Sequence, residues 1–341
     1  MKFLFLGAGA IGTYIGGSLA AAGHGVAFIE QPAPAEVIGR DGLVVESTSG
    51  RLEVRDVALF TDAGAALDAG PWDVLVFALK SFDTVEAVEH LMATGRPVPP
   101  VLSLQNGVDN EPAIAARLGA DQVIAGTVTT SIGKPGIGHV VEEKHRGVGI
   151  ALGHPLSASL VEALNDARLG ARTYPVAGPM KWSKLITNLQ GSATSAILDL
   201  PVCDVFSDRR LLNVETASLR ECVAVMRALG HAPVDLPGTP VRALAWAVET
   251  LPQWLTRPIF TRALGGSRGH KMPSLHIDLH SGRGHSEVGY LHGAVVRHGA
   301  SVGVPTPVNA VLTSVLEGLT DGTEDVEAFR RNPEALLARV G

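Results

Sequence analysis

The chain opens on a short apolar run at residues 3–6. The run breaks into glycines at positions 7, 9 and 12 and continues as TYIGGSLAAAG, a helical pattern. Further apolar runs follow at GVAFIE (25–30), DVLVFALK (73–80) and VLSLQNG (101–107), separated by helical stretches around 84–92 and 111–118. Strands that are apolar on both faces and alternate with helices predict a parallel sheet covered on both sides. Two segments alternate instead. LVVESTSGRLEV pivots on a Ser-Gly turn and predicts a hairpin, and TSIGKPGIGHVVEE predicts antiparallel strands joined at a Gly-Pro turn, closing the first domain. After Pro179 the pattern becomes helical through KWSKLITNLQGSATSAIL, RRLLNVETASLRECVAVMRALG and GAVVRHGASVGVPTPVNAVLTSVLEGL, with Gly230 as a helix stop and Pro305 and Pro307 as breaks. The predicted architecture is therefore α/β, an N-terminal Rossmann-type parallel-sheet domain (1–177) followed by a C-terminal all-helical domain (178–341), divided near VAGPMK.

Composition narrows the partners. The 341 residues are 46% hydrophobic, enough for two cores. Twenty-eight Lys and Arg against 34 Asp and Glu give a charge of −6, and no basic run marks a nucleic-acid surface, so the expected partner is a small molecule. Cys203 and Cys222 are too few for a disulfide framework and read as buried apolar residues. The glycine motif stands where a secretory signal would have its cleavage site, and no run of about 18 apolar residues exists, so a cytoplasmic location without a membrane span is expected. Residues 233–273 are rich in Pro, Gly and Trp, with GGSRGHK as a mobile loop carrying Arg268 and Lys271, and with Trp246 and Trp254 as packing residues.

Glycines spaced G-x-G-x-x-G between a strand and a helix let the backbone turn tightly and approach a pyrophosphate, whose charge meets unpaired helix amides. Gly7, Gly9, Ala10, Ile11 and Gly12 are the expected dinucleotide-binding positions. Glu30 ends the second strand 18 residues beyond Gly12, where a carboxylate accepts from the adenosine ribose and repels a 2′-phosphate. Gln31 and the following PAPA supply no cation, and Arg40 is the nearest basic residue. Taken alone, Glu30 favours NAD over NADP.

Ligands of open parallel sheets bind beyond the carboxyl ends of the strands. Lys80 ends DVLVFAL and Asn106 ends VLSLQ. They either reach the cofactor or substrate, or are respectively a solvated lysine and a left-handed turn residue before Gly107. In KWSKLITNLQGS, Lys184 and Asn188 share a helix face, with Lys181 a turn earlier and Gly191 a turn later. This stripe is either solvated or faces an interdomain cleft. His276 and His280 are four apart, near Asp278, His285 and His292, but no tight motif fixes a third ligand, and no metal is expected. Ser274 lacks a nucleophile elbow, and the cysteines lack a base partner.

Over nearly its whole length the chain resembles the ketopantoate reductase (2-dehydropantoate 2-reductase) family. The likeness rests on GAGAIG, ALKS, LQNG, WSKLITN and MPSLHIDLHSGRGHSEV in that order. The resemblance implies hydride transfer from a reduced nicotinamide to the ketone carbon of a 2-oxo acid in a cleft between the domains. In that reaction Lys184 is the general acid, Asn188 a substrate-binding amide and Ser274 a ligand of the substrate carboxylate. Glu287 orients the substrate and the lysine, and Lys80 and Asn106 lie near the nicotinamide. A lysine of ordinary pKa is protonated at neutral pH and competent for this role. The resemblance implies NADP(H), whereas Glu30 and Gln31 point to NAD(H), and it implies a homodimer built through the helical domain.

The chain departs from the family pattern in four places. Val202 stands where a family asparagine contacts the substrate hydroxyl. The spacing from Asp278 to Glu287 is one residue longer, Gln31 replaces a basic residue, and the 232–273 stretch is extended. Another bulky or aromatic 2-oxo acid is thus an alternative substrate, and a dinucleotide-binding sensor without turnover is the reading from another class.

Overall fold

The computed structural model describes residues 1–251, 272–282 and 284–341. Residues 252–271, among them Trp254, Arg268 and Lys271, lie outside the described residues. The chain divides into two compact units. One comprises Met1–Lys181 with Leu236–Thr239, and the other Trp182–Asp235 with Pro240–Gly341.

The first unit is built on an eight-stranded sheet. The first six strands of the chain, not all of them in that sheet, are β1 (Lys2–Leu6), β2 (Gly25–Ile29), β3 (Leu43–Ser47), β4 (Gly50–Val54), β5 (Ala58–Phe60) and β6 (Val74–Phe77). They are followed by β7 (Val101–Ser103), β8 (Val123–Val128), β9 (Ser131–Gly136), β10 (His139–Lys144), β11 (Val148–Ala151) and β12 (Ala171–Tyr174). The large sheet runs β12-β11-β8-β7-β6-β1-β2-β5, parallel except where β11 meets β8. Side chains of a strand alternate between faces, and both faces here are dry. Phe3, Phe5, Phe28, Val74 and Val76 enter one core with Tyr14, Ile15 and Leu19 of the helix Ala10–Ala21. Leu4, Ala27, Ile29, Leu75 and Phe77 enter the other with Val88, Leu91 and Ile114. This two-sided burial explains why the runs are continuously apolar rather than alternating.

The predicted hairpin forms, β3 against β4, and β9 pairs antiparallel with β10. Two details differ from the sequence reading. The turn falls at residues 137–138, while Pro135 lies within β9, an edge strand that can spare an N–H. The pair also does not close the first unit, which continues through β11 and β12 to Lys181. It joins the hairpin in a separate sheet, β4-β3-β10-β9, through parallel pairing of β3 with β10.

In the second unit every described element is helical. The helix Ala177–Leu189 carries the chain from one unit into the other, and Gly191, at φ +67°, separates it from Ser192–Leu198. Arg209–Ala228 ends just before Gly230 at φ +79°, and the proline pair separates His292–Val302 from Pro307–Asp321. Trp246 is 57% exposed, which corrects the expectation that it packs. Cys222 is buried, but Cys203 is only half-buried. Among the described residues, no helix is long and apolar enough to cross a membrane.

Candidate active site

The glycine turn leaves β1 at the point where the chain order reverses, with β2 on one side of β1 and β6 on the other. Ligands of such sheets bind at this switch point. Gly7, at φ +92°, donates its N–H to Ile29 O (3.0 Å) and so ties the turn to the end of β2. A methyl group at position 12 would overlap the carbonyl oxygen of Gly7, which is why the helix can approach the turn only with glycine there. Gly9 begins the helix Ala10–Ala21 without a side-chain cap, and its first turn holds no acidic residue. An uncapped positive helix end behind a glycine cradle fits a pyrophosphate.

Glu30 lies immediately after β2, and its position beside the turn is now explicit. Oε2 accepts the Ala8 N–H (2.6 Å) and Oε1 accepts the Gln31 N–H (2.8 Å). The carboxylate therefore fixes the shape of the turn and places negative charge against it.

Lys80 and Asn106 do not end strands, as the sequence suggested. The strands are shorter, and Phe77 and Ser103 are register partners at their last positions, so each functional candidate lies three residues past its strand. The structure brings their loops together. Ser81 Oγ donates to Asn106 O (3.0 Å), Asn110 Nδ2 donates to the same oxygen (2.6 Å), and Thr84 Oγ1 donates to Asn110 Oδ1 (3.0 Å). Gln105 Nε2 donates to Thr84 Oγ1 (2.7 Å). Positive φ belongs to Gly107, at +90°, and not to Asn106, so the left-handed reading of Asn106 is incorrect. Sequence reasoning missed Ser81, Thr84, Gln105 and Asn110. Their signal was present in the polar residues within and just after ALKS and LQNG, but nothing periodic marks them as buried.

Lys181 was placed on a polar helix stripe and is instead a buried anchor of the first unit. It is 4% exposed, donates from Nζ to Gln105 O (2.7 Å) and Gly126 O (3.3 Å), and pairs with Glu111 Oε1 at 2.7 Å. The Gln105 loop is thereby held at both its side chain and its backbone.

In the second unit Lys184 and Asn188 are half-buried, one turn apart on Ala177–Leu189. Ser274 is exposed at the first position of the helix Ser274–His280. Glu287 is buried at the start of a short 3-10 turn, Glu287–Tyr290, and its N–H is donated to buried Asp278 Oδ2 (3.4 Å). That bond joins the Ser274 helix to the Glu287 turn across the lengthened spacing. Val202 is fully buried, packed toward Gly191 at the start of the helix Val202–Ser207, and offers no polar group.

A Rossmann-type sheet with a glycine cradle, followed by a helical unit bearing a Lys and Asn pair, defines a two-domain dinucleotide-dependent oxidoreductase. The chain belongs to the ketopantoate reductase family: residues 3–154 match the model described as ketopantoate reductase PanE/ApbA and residues 178–320 the one described as its C-terminal domain. A 2-dehydropantoate 2-reductase of Halobacterium salinarum is 28% identical over 331 residues, covering 93% of this chain and 98% of its own. The crystal structure of a PanE/ApbA family ketopantoate reductase from Ralstonia eutropha superposes with a TM-score of 0.80 at 30% identity, covering 95% of this chain and 100% of that one. A D-mandelate dehydrogenase solved with NADH and anilino(oxo)acetate shares the fold, with a TM-score of 0.77 at 20% identity over 94% of this chain and 99% of its own.

Proposed function

We propose that the chain reduces 2-dehydropantoate to pantoate with a nicotinamide dinucleotide as hydride donor. The observation that carries this reading is the half-buried Lys184 and Asn188 pair, one helical turn apart in a chain that fits both family domains. The bound cofactor supplies a hydride to the ketone carbon. The Lys184 ammonium stabilises the negative charge that develops on the carbonyl oxygen and gives up its proton there, leaving a secondary alcohol. Asn188 and Ser274 hold the substrate and its carboxylate, and Glu287 positions the lysine and the substrate. Gly7, Gly9, Ala10, Ile11 and Gly12 receive the pyrophosphate at the uncapped helix end, while Lys80 and Asn106 approach the nicotinamide.

For the cofactor we propose a preference for NADH over NADPH. The Glu30 carboxylate, fixed by Ala8 N–H and Gln31 N–H, places negative charge where a 2′-phosphate would have to be accommodated. The deciding measurement is the initial rate of ketopantoate-dependent oxidation of each cofactor at matched concentrations. Faster oxidation of NADH supports both statements, and faster oxidation of NADPH removes the preference but keeps the reductase. No oxidation of either, with the cofactor bound by fluorescence, removes ketopantoate.

A second reading rests on Val202. A buried valine cannot donate to the hydroxyl of ketopantoate, so a 2-oxo acid of similar bulk without that hydroxyl is the alternative substrate. Equal kcat/KM for ketopantoate and 3,3-dimethyl-2-oxobutanoate, which differs from it only by the missing hydroxyl, supports the alternative. A site that hydrogen-bonds the hydroxyl would discriminate strongly against the analogue lacking it.

A further inference from the structure

We propose that Asp199, His276 and His280 form a binding site for one divalent transition-metal ion of the zinc type at the surface of the helical unit. Their ligand atoms all lie within 4.8 Å of one another. His276 and His280 are one turn apart on Ser274–His280, and their rings stand 4.2 Å centroid to centroid. The third ligand comes from a distant segment. Asp199 follows the helix Ser192–Leu198 in a left-handed conformation, φ +49°, which turns its carboxylate toward the histidines. Its Oδ1 lies 2.8 Å from His276 Nε2, while Oδ2 accepts from Arg330 Nε (3.1 Å).

This division of the carboxylate suits metal binding. The Arg330 guanidinium fixes one oxygen and the other faces the imidazoles, the outer-shell arrangement that orients ligating carboxylates. Two imidazoles and one carboxylate match zinc-type ions rather than Mg2+ or Ca2+, which take oxygen ligands, and they leave a fourth position for water. Tetrahedral bonds of about 2.0–2.2 Å bring donor atoms to roughly 3.5 Å apart. Closing the site from 4.8 Å to that spacing requires the exposed His280 ring to move. The other acidic and imidazole groups nearby in sequence are engaged elsewhere: Asp278 accepts Glu287 N–H and His292 is buried against Asn309. An ion here would fasten the end of Ser192–Leu198 to the helix that carries Ser274.

The test is calorimetric titration of metal-stripped, tag-free full-length protein with ZnCl2, with MgCl2 as control. The expected result is one saturable Zn2+ site of about micromolar affinity or tighter and none for Mg2+. Zn2+ also raises the melting temperature, because it binds the folded form. His280→Ala, an exposed position whose folding is checked by circular dichroism, should weaken binding at least tenfold, and Asp199→Asn should do the same. Absence of saturable Zn2+ binding overturns the proposal, as does an affinity undiminished in His280→Ala.

Discussion

Lys181 and Lys184 are separated by less than one turn of the same helix, yet they belong to different units and are held differently. In the sheet unit the ammonium of Lys181 is 4% exposed and saturated by two carbonyls and the Glu111 carboxylate. In the helical unit Lys184 is half-buried and keeps contact with solvent, the condition for exchanging a proton. Residue type and helical spacing therefore do not distinguish a buried anchor from the acid proposed at Lys184. What the structure distinguishes is their burial, Lys181 at 4% exposed and Lys184 half-buried.

The contrast is tested most strongly by replacing each lysine in turn. Lys184→Ala should lower kcat about 10²–10⁴-fold, the range for a positioned proton donor, while cofactor affinity by nicotinamide fluorescence and the melting temperature stay near wild type. Unchanged turnover would sink the assignment of Lys184. Lys181→Met should do the opposite. It leaves the Glu111 carboxylate buried without its cation, a change that costs about 3–5 kcal/mol. Denaturant unfolding should register that loss even if residual activity per folded molecule is measurable. If the two variants lost the same property, the distinction between the lysines would fail.

A smaller effect separates the units by pH. The helical unit buries His292, whose Nδ1 faces Asn309 Oδ1 (2.8 Å) and whose Nε2 lies 3.4 Å from Ser192 Oγ. Burial pushes its pKa down to about 4, with the Asn309 hydrogen bond opposing the shift. The unfolded histidine titrates near 6.5. Above that pH neither state binds the proton, so no stability is lost. As pH falls from 6.5 towards 4 the unfolded chain gains the proton and the folded chain does not, so folding weakens by on the order of 3 kcal/mol. In the sheet unit, burial raises the pKa of Tyr14, with Glu142 adding to the effect. That group stays neutral throughout this window and adds no acid sensitivity. His292→Gln should flatten the fall in unfolding free energy between pH 7 and pH 4.5, and an equally steep fall in the variant would assign it to other groups.

The two regions also differed in how much their sequences revealed. The glycine turn, the main helices and the apolar strands at 3–6, 25–30, 73–80 and 101–107 were legible because each is fixed by neighbours in sequence: a glycine spacing, an apolar run, a proline. Strand ends were less so. Lys80 and Asn106 were read as strand termini, but pairing stops at Phe77 and Ser103, and a polar network then takes over whose members share no period. In the helical unit Lys184 and Asn188 were legible as a face. The partners of other groups were not, because they arrive from far along the chain. Asp199 meets His276 across 77 positions, and Glu215 reaches back to accept Gly191 N–H at 2.7 Å. Long-range polar pairing leaves no local pattern.

The smallest effect bears on the most legible feature. Gly12→Ala adds one methyl group, and it would overlap Gly7 O, a backbone atom that cannot move without opening the turn. Relief requires the helix Ala10–Ala21 to shift against β1, where Tyr14, Ile15 and Leu19 are packed in the core beside Phe3 and Phe5. Overpacking of this kind costs about 1–3 kcal/mol. The shift also moves the uncapped amides relative to the cradle, so dinucleotide affinity should fall at least tenfold by fluorescence titration. A variant that unfolds at the wild-type denaturant concentration and binds the dinucleotide normally would show that the turn yields freely. The sheet unit would then owe its geometry to the anchors at Lys181 and Glu30 and not to its glycines.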